Sequence, residues 1–444
     1  GSYNGYTHFA IKTVKDGKPL TYILNGDFNK ELMGQYMKKQ FCGYGFGPLP
    51  QTMCGFPHFS KSEFIGEFPI ATLKLHDDLF PADIRMTAFN PFIPCDEKNS
   101  SLPAAFFEIE TENTSDIPLD FDIAFSVANP YDVSANEAYS DGTIRAVTLR
   151  NADECGKEST SYGDLTVATD CHSSYSQAYW YRGKWQDGIV MFMNEFASGS
   201  GLSNRTYETN GSHDTSTLVA RIKLGTHEKG SVRFVLSWNV PNACRYWGTD
   251  EEKKKTWKNY YATVFDSSRE TAKYALSQFS ELYRRTLAFK NALFSSSLPP
   301  VVIDAAASNL SVLKSPTVSR LEDGSFYGFE GVHEESGSCE GTCQHVWNYV
   351  YSLFFLFPRL ERSIRDLEFK YSTEKSGKTA FRLKLPLGSE ISPFRACLDG
   401  QMGSVIKFYG DWKISGNDDW LRENWDTIKK VVDYARSEEN PDGW

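Results

Sequence analysis

The chain has 444 residues, enough for two or three domains with large cores. Its 40% apolar and 23% charged residues exclude a disordered chain, and 47 Lys and Arg against 57 Asp and Glu leave a net charge of −10, without the basic footprint of a nucleic-acid binder. No run of about 18 apolar residues is present, so no transmembrane helix is expected.

From the start to about residue 266 the pattern is that of strands. Leu119, Phe121, Ile123 and Phe125 alternate with Asp120, Asp122, Ala124 and Ser126, which describes a strand with one buried face. Ala105, Phe107 and Ile109 repeat the pattern, as do Leu218 to Leu224 and Val232 to Val240. Turn signals such as Lys15-Asp16-Gly17 and Ser140-Asp141-Gly142 separate the runs. Residues 1–266 are therefore expected to form an antiparallel β-sandwich. The aromatic content of 14% suits β-sheet cores and carbohydrate platforms. Nine cysteines, an odd number with no CxxC pair, read as free thiols and weakly favour a reducing, cytoplasmic compartment. The chain opens on Gly1-Ser2-Tyr3-Asn4 without a methionine, a start that says nothing about localisation.

After residue 266 the period becomes helical. Tyr274, Phe279, Leu282, Tyr283 and Leu287 lie on one long helix, giving a linker helix over 267–298. Ser297-Leu298-Pro299-Pro300 opens the next helix, and residues 299–444 continue as helices. A second strong helix is expected over Thr342–Arg365 and a third over Gln401–Ile414, stopped by Gly416. Asn417-Asp418-Asp419 caps a fourth with an inner stripe of Leu421, Trp425, Ile428 and Val432. The chain stops in a loop signal, Asn440 to Trp444, and the natural protein is expected to continue.

Several chemistries are excluded by their missing motifs: GxGxxG at a strand–helix junction, GxxxxGK[ST], GxSxG and HExxH. What stands out is the polar stretch Phe326–Tyr349, where Glu330, Glu334, Glu335 and Glu340, His333 and His345, and four glycines sit among aromatic residues. Carboxylates beside rings have perturbed protonation, and glycines let backbone approach a ligand. A solvated acidic loop is the alternative. Cys339 and Cys343 with His333 and His345 could be a metal cluster, but the spacing matches no common zinc module, and no metal or cofactor is expected.

Ordered motifs across the chain carry a resemblance. They are Ala88-Phe89-Asn90-Pro91-Phe92-Ile93-Pro94, Tyr179-Trp180-Tyr181-Arg182-Gly183, Phe234 to Asn242, and Asn259-Tyr260-Tyr261-Ala262-Thr263. In the second half, Gly341-Thr342-Cys343-Gln344-His345-Val346-Trp347-Asn348-Tyr349, Phe357 to Ser363, Asp399-Gly400-Gln401 and Phe408-Tyr409-Gly410-Asp411-Trp412 follow. Together they resemble glycoside hydrolase family 116, which includes bacterial β-glucosidases and the non-lysosomal glucosylceramidase. The resemblance implies an N-terminal antiparallel β-sandwich followed by part of an (α/α)6 helical barrel, and a retaining enzyme acting on a β-glycoside with two carboxyls about 5–5.5 Å apart. It places the nucleophile on Glu330, in Phe329-Glu330-Gly331, with Glu340 as a competing alignment. Where one branch has Thr-Tyr-Asp, this chain has Thr342-Cys343-Gln344, so Thr342, Gln344 and His345 are the candidate sugar contacts. Asp399 and Gln401, which open a helix, are further candidates, with capping as the alternative. The family's acid/base aspartate is expected beyond Trp444. A non-catalytic carbohydrate-binding protein and a glycoside phosphorylase are the rival readings.

Overall fold

The computed structural model describes residues 6–27, 53, 55–153, 155–184, 187–199, 201–245, 247–332, 337–339 and 341–437. Among the described residues, fourteen strands build the two large sheets of the first half: β1 (His8–Lys15), β2 (Lys18–Gly26), β3 (His58–Phe59), β4 (Lys61–Glu67), β5 (Ile70–His76), β6 (Ala82–Phe89), β7 (Ala104–Asn113), β8 (Leu119–Ala128), β9 (Ser134–Ser140), β10 (Arg145–Asn151), β11 (Asp164–Thr169), β12 (Ser174–Gln177), β13 (Thr215–Leu224) and β14 (Lys229–Asn239). They form a six-stranded sheet in the order β12-β13-β8-β1-β2-β3 and an eight-stranded sheet in the order β4-β5-β6-β7-β14-β11-β10-β9. Asp16 and Gly17, both at positive φ, close the β1–β2 hairpin, as a two-residue turn of this hand requires.

The expected alternation sets the register. Ile11 faces Ile123, which faces Ala220, while Ile109 opposes Val232 and Phe107 opposes Phe234. These side chains meet between the sheets in one core with Phe59, Phe80, Phe121 and Phe125. Part of each outer face, however, is covered rather than solvated. A helix that the strand pattern obscured, α1 (Asp187–Ser198), lays Ile189, Phe192, Met193 and Phe196 against Ala10, Ala124 and Val219 of the six-stranded sheet. Under it Asp122, only 2% exposed, pairs with Lys12 at 3.2 Å and Arg221 at 2.6 Å. The expected polar face of β8 is thus a buried, charge-paired one.

The expected linker helix is two helices, α2 (Ser268–Ser277) and α3 (Phe279–Phe294), broken at Gln278. Ala272, Ala275, Leu276, Phe279 and Leu282 cover the eight-stranded sheet against Phe89, Phe106 and Val235. Next, α4 (Pro300–Leu310) leads to the helical region, which docks on the sandwich through Phe92, Phe326, Trp347, Leu353, Phe357, Leu360 and Ile364. Lys314 also crosses this junction, donating to Pro91 O at 2.7 Å, Ser100 O at 2.5 Å and the Asn90 side-chain oxygen.

Thr342–Arg365 is not one helix. Thr342–Cys343 pairs as a short strand with Arg382–Leu383, and α5 (Gln344–Trp347) and α6 (Ser352–Leu356) are single turns. Phe357 leaves helical geometry before Pro358 opens α7 (Pro358–Tyr371), as the clash of proline with a preceding helical residue dictates. Gly416, at φ 62°, ends α8 (Leu398–Ser415), and the Asn417 side chain caps α9 (Asp418–Ser437) by accepting from Trp420 N at 3.0 Å. The inner stripe of α9 is Trp420, Ile428 and Val431, while Trp425 faces outward. No helix of the described residues is long and apolar enough to cross a membrane.

Candidate active site

Glu330 follows the short strand Phe326–Gly328, and its neighbours are tied on every side. Tyr327 donates its hydroxyl to Leu383 O at 2.8 Å, and Gly328 N donates to Thr342 Oγ1 at 3.1 Å. The Trp347 indole donates to Phe329 O at 3.2 Å. Residue 328 has to be glycine, because a Cβ there would stand 2.1 Å from the Trp347 ring.

The Glu330 carboxylate is half-buried, and Arg382 Nη2 donates to its Oε1 at 2.7 Å. Burial works to raise its pKa, but hydrogen bonds from Cys339, Arg382 and Cys343 outweigh it and hold the carboxyl below its ordinary range. Burial pushes the Cys343 thiol the other way, so it stays protonated and able to donate. Glu330 is therefore an anion at neutral pH, with Oε1 engaged by the guanidinium. Glu340, His333, Glu334 and Glu335 lie outside the described residues.

The other candidates fall into two groups. His345 and Asp399 lie on the surface together, with His345 Nδ1 2.5 Å from Asp399 Oδ2. The Cys397 thiol donates to Asp399 Oδ1 at 2.8 Å, and that bond, with the one from His345, holds Asp399 below the usual carboxylate range against a smaller effect of burial. Cys343 lies near both Glu330 and Cys397.

Thr342, Gln344 and Gln401 instead face the interior. Thr342 is buried and accepts from the backbone of Gly328. Gln344 donates to the Glu368 carboxylate. Gln401 is 0% exposed and spends its amide on Thr379 N at 3.0 Å, Gly377 O at 3.2 Å and Val431 O at 2.7 Å. Thr342 thus ties two short strands, Gln344 reaches α7 through Glu368, and Gln401 ties α8 to the 377–379 turn and to α9.

Behind them lies a charged interior that the sequence pattern did not reveal. Lys407 bridges Glu361 at 3.1 Å and Val350 O at 2.7 Å, and Arg365 donates to Asn348 Oδ1 at 2.9 Å. Burial, with the nearby Glu361 charge, pushes Asp411 up to about 7. A cleft of about 570 Å³, lined by Trp238, Tyr260, Lys314 and Arg320 among others, opens at the sandwich–helix junction, and Glu330 is not in its wall. Sequence reasoning also missed Arg382, which is 52 residues from Glu330. No periodicity or motif connects the two.

A large β-sandwich joined to a helical region, with an ionised glutamate between short strands of that region, is an architecture compatible with carbohydrate-active enzymes. The family model described as beta-glucosidase 2, glycosyl-hydrolase family 116 N-terminal domain, matches residues 6–282. The chain belongs to glycosyl-hydrolase family 116. No curated protein matches it. Among solved structures, it is similar to a candidate kojibiose phosphorylase from the human microbiome at 12% identity and TM-score 0.40, covering 99% of this chain and 54% of that one. It is also similar to a family 92 α-mannosidase from Bacteroides thetaiotaomicron at 9% identity and TM-score 0.34, covering 86% of this chain and 45% of that one. The chain thus spans about half the length of these two structures.

Proposed function

We propose that this chain carries the nucleophile side of a retaining β-glycosidase site of the β-glucosidase or glucosylceramidase type. In this reading residues 1–266 are the sandwich domain, 267–298 link it onward, and 299–444 are the first part of an (α/α)6 barrel. The observation that supports the proposal is Glu330: ionised, half-buried, held by Arg382 and two thiols, and standing where the family resemblance puts the nucleophile.

A carboxylate oxygen of Glu330 attacks the anomeric carbon. The C1–O bond to the aglycone breaks, a bond from C1 to that oxygen forms, and water later releases the sugar. Arg382 holds the carboxylate anionic and fixes its rotamer. The leaving oxygen needs a proton, which the second carboxyl of a retaining site supplies, and loss of such a general acid slows turnover of alkyl glycosides by about 10²–10⁴-fold. His345 and Asp399 are the surface groups placed to contact sugar hydroxyls.

A cyclophellitol-type epoxide tests this reading, because ring opening needs only the nucleophile and a weak acid. One covalent adduct mapping to Glu330, and absent in Glu330→Gln, is the expected result. An adduct on another residue moves the nucleophile, and no adduct with retained sugar binding indicates a binding protein. Turnover that requires inorganic phosphate identifies a phosphorylase.

A further inference from the structure

We propose that His345, Cys397 and Asp399 form a binding site for a borderline-soft divalent metal ion of the zinc class. The imidazole nitrogen, thiol sulfur and carboxylate oxygen all lie within 4.8 Å of one another. They come from two separate segments: His345 from α5, and Cys397 and Asp399 from the start of α8. The carboxylate sits between the other two, touching the thiol with one oxygen and the imidazole with the second. Without an ion these contacts are hydrogen bonds to the carboxylate, unlike the arrangement of a nucleophilic cysteine, whose thiol would meet the imidazole directly.

The donor chemistry selects the ion. One N, one S and one O ligand suit zinc, while magnesium and calcium take oxygen ligands alone. Thiolate and carboxylate together balance a divalent charge. Cys397 is buried, whereas His345 and Asp399 are half-exposed at 50% and 58%. The ion therefore reaches the site from the solvent side, and a fourth position stays open there for water or a substrate hydroxyl. Gly400 permits the close approach: a Cβ on it would stand 3.1 Å from both Cys397 Sγ and His345 N. On binding, the thiol proton leaves to solvent, the S–metal bond forms, and the hydrogen bonds to Asp399 are exchanged for metal bonds.

The test is titration of chelator-treated, reduced protein with Co²⁺, followed by the near-ultraviolet thiolate-to-cobalt charge-transfer band. The band should saturate at a single equivalent, be displaced by Zn²⁺, and vanish in Cys397→Ser. His345→Ala and Asp399→Asn should each weaken binding by more than about tenfold. Both of these side chains are exposed, so folding does not confound them, and circular dichroism checks Cys397→Ser. Glu330→Gln and Cys343→Ser should bind as the parent does, which separates this site from the glycosidase reading. Absence of the band, unchanged affinity in His345→Ala, or a band that survives Cys397→Ser overturns the proposal.

Discussion

Replacing Arg382 by methionine keeps most of the side-chain volume and removes the charge beside Glu330. The 2.7 Å contact puts the two charge centres about 4 Å apart, worth about 4 kcal/mol at the effective dielectric of a site near the surface. Both side chains are partly solvated, at 22% and 33% exposure, so screening reduces this to about 2 kcal/mol. The Glu330 carboxyl should therefore titrate at a higher pH in the variant than in the parent. A ¹³C-carboxyl titration of glutamate-labelled protein reads this directly, with the Glu330 signal identified by its loss in Glu330→Gln. The sign also fixes the effect on stability. A carboxyl lowered from 4.5 in the folded state stabilises the fold above that pH and loses this contribution as pH falls through its folded value. Parent and Arg382→Met should therefore differ in stability at neutral pH and converge in acid. A Glu330 titration that superimposes on that of the parent would refute the pairing argument.

Three further outcomes follow from the same geometry. Gly328→Ala should push the Trp347 ring out of place, costing at least about 1–3 kcal/mol in denaturant unfolding; a variant as stable as the parent contradicts the 2.1 Å approach. Lys407→Met strands Glu361 in the interior and should cost about 3–5 kcal/mol, most of it recovered in the double variant Glu361→Leu with Lys407→Met. If the double variant is no better than the single, the charge-stranding explanation fails. Asp411, raised from 3.8 to about 7 by burial, opposes folding increasingly as pH rises through that window, so Asp411→Asn should gain relative stability between pH 4 and pH 8. A gain that does not change with pH argues against a titrating carboxyl.

The sandwich was legible because its strands alternate, and the pairings of β7, β8, β13 and β14 follow that alternation. Its outer layer was not read, although Ile189, Phe192, Met193 and Phe196 carry helical spacing in the sequence. Once both faces of a sheet are covered, polar positions such as Asp122 can be interior, and alternation no longer reports exposure. In the helical half, the apolar run Tyr349–Phe357 is broken only by Ser352 and ended by Pro358, which marks the restart that divides the expected helix. Glu330 was found through motif resemblance rather than through any pattern of spacing. Its partners Arg382 and Cys339 are brought to it by short strand pairings, and two-residue strands leave no period to detect.

The indole of Trp347 fills the space over Gly328 and grips the carbonyl of Phe329, so the acidic group next in line takes its bearings from a helix instead of its own strand. That helix in turn rests on Phe326 and the aromatic cluster reaching back to Phe92 in the sandwich. Thinning that stack at Phe92 would re-aim the carboxylate from a distance, leaving every atom around it chemically unchanged.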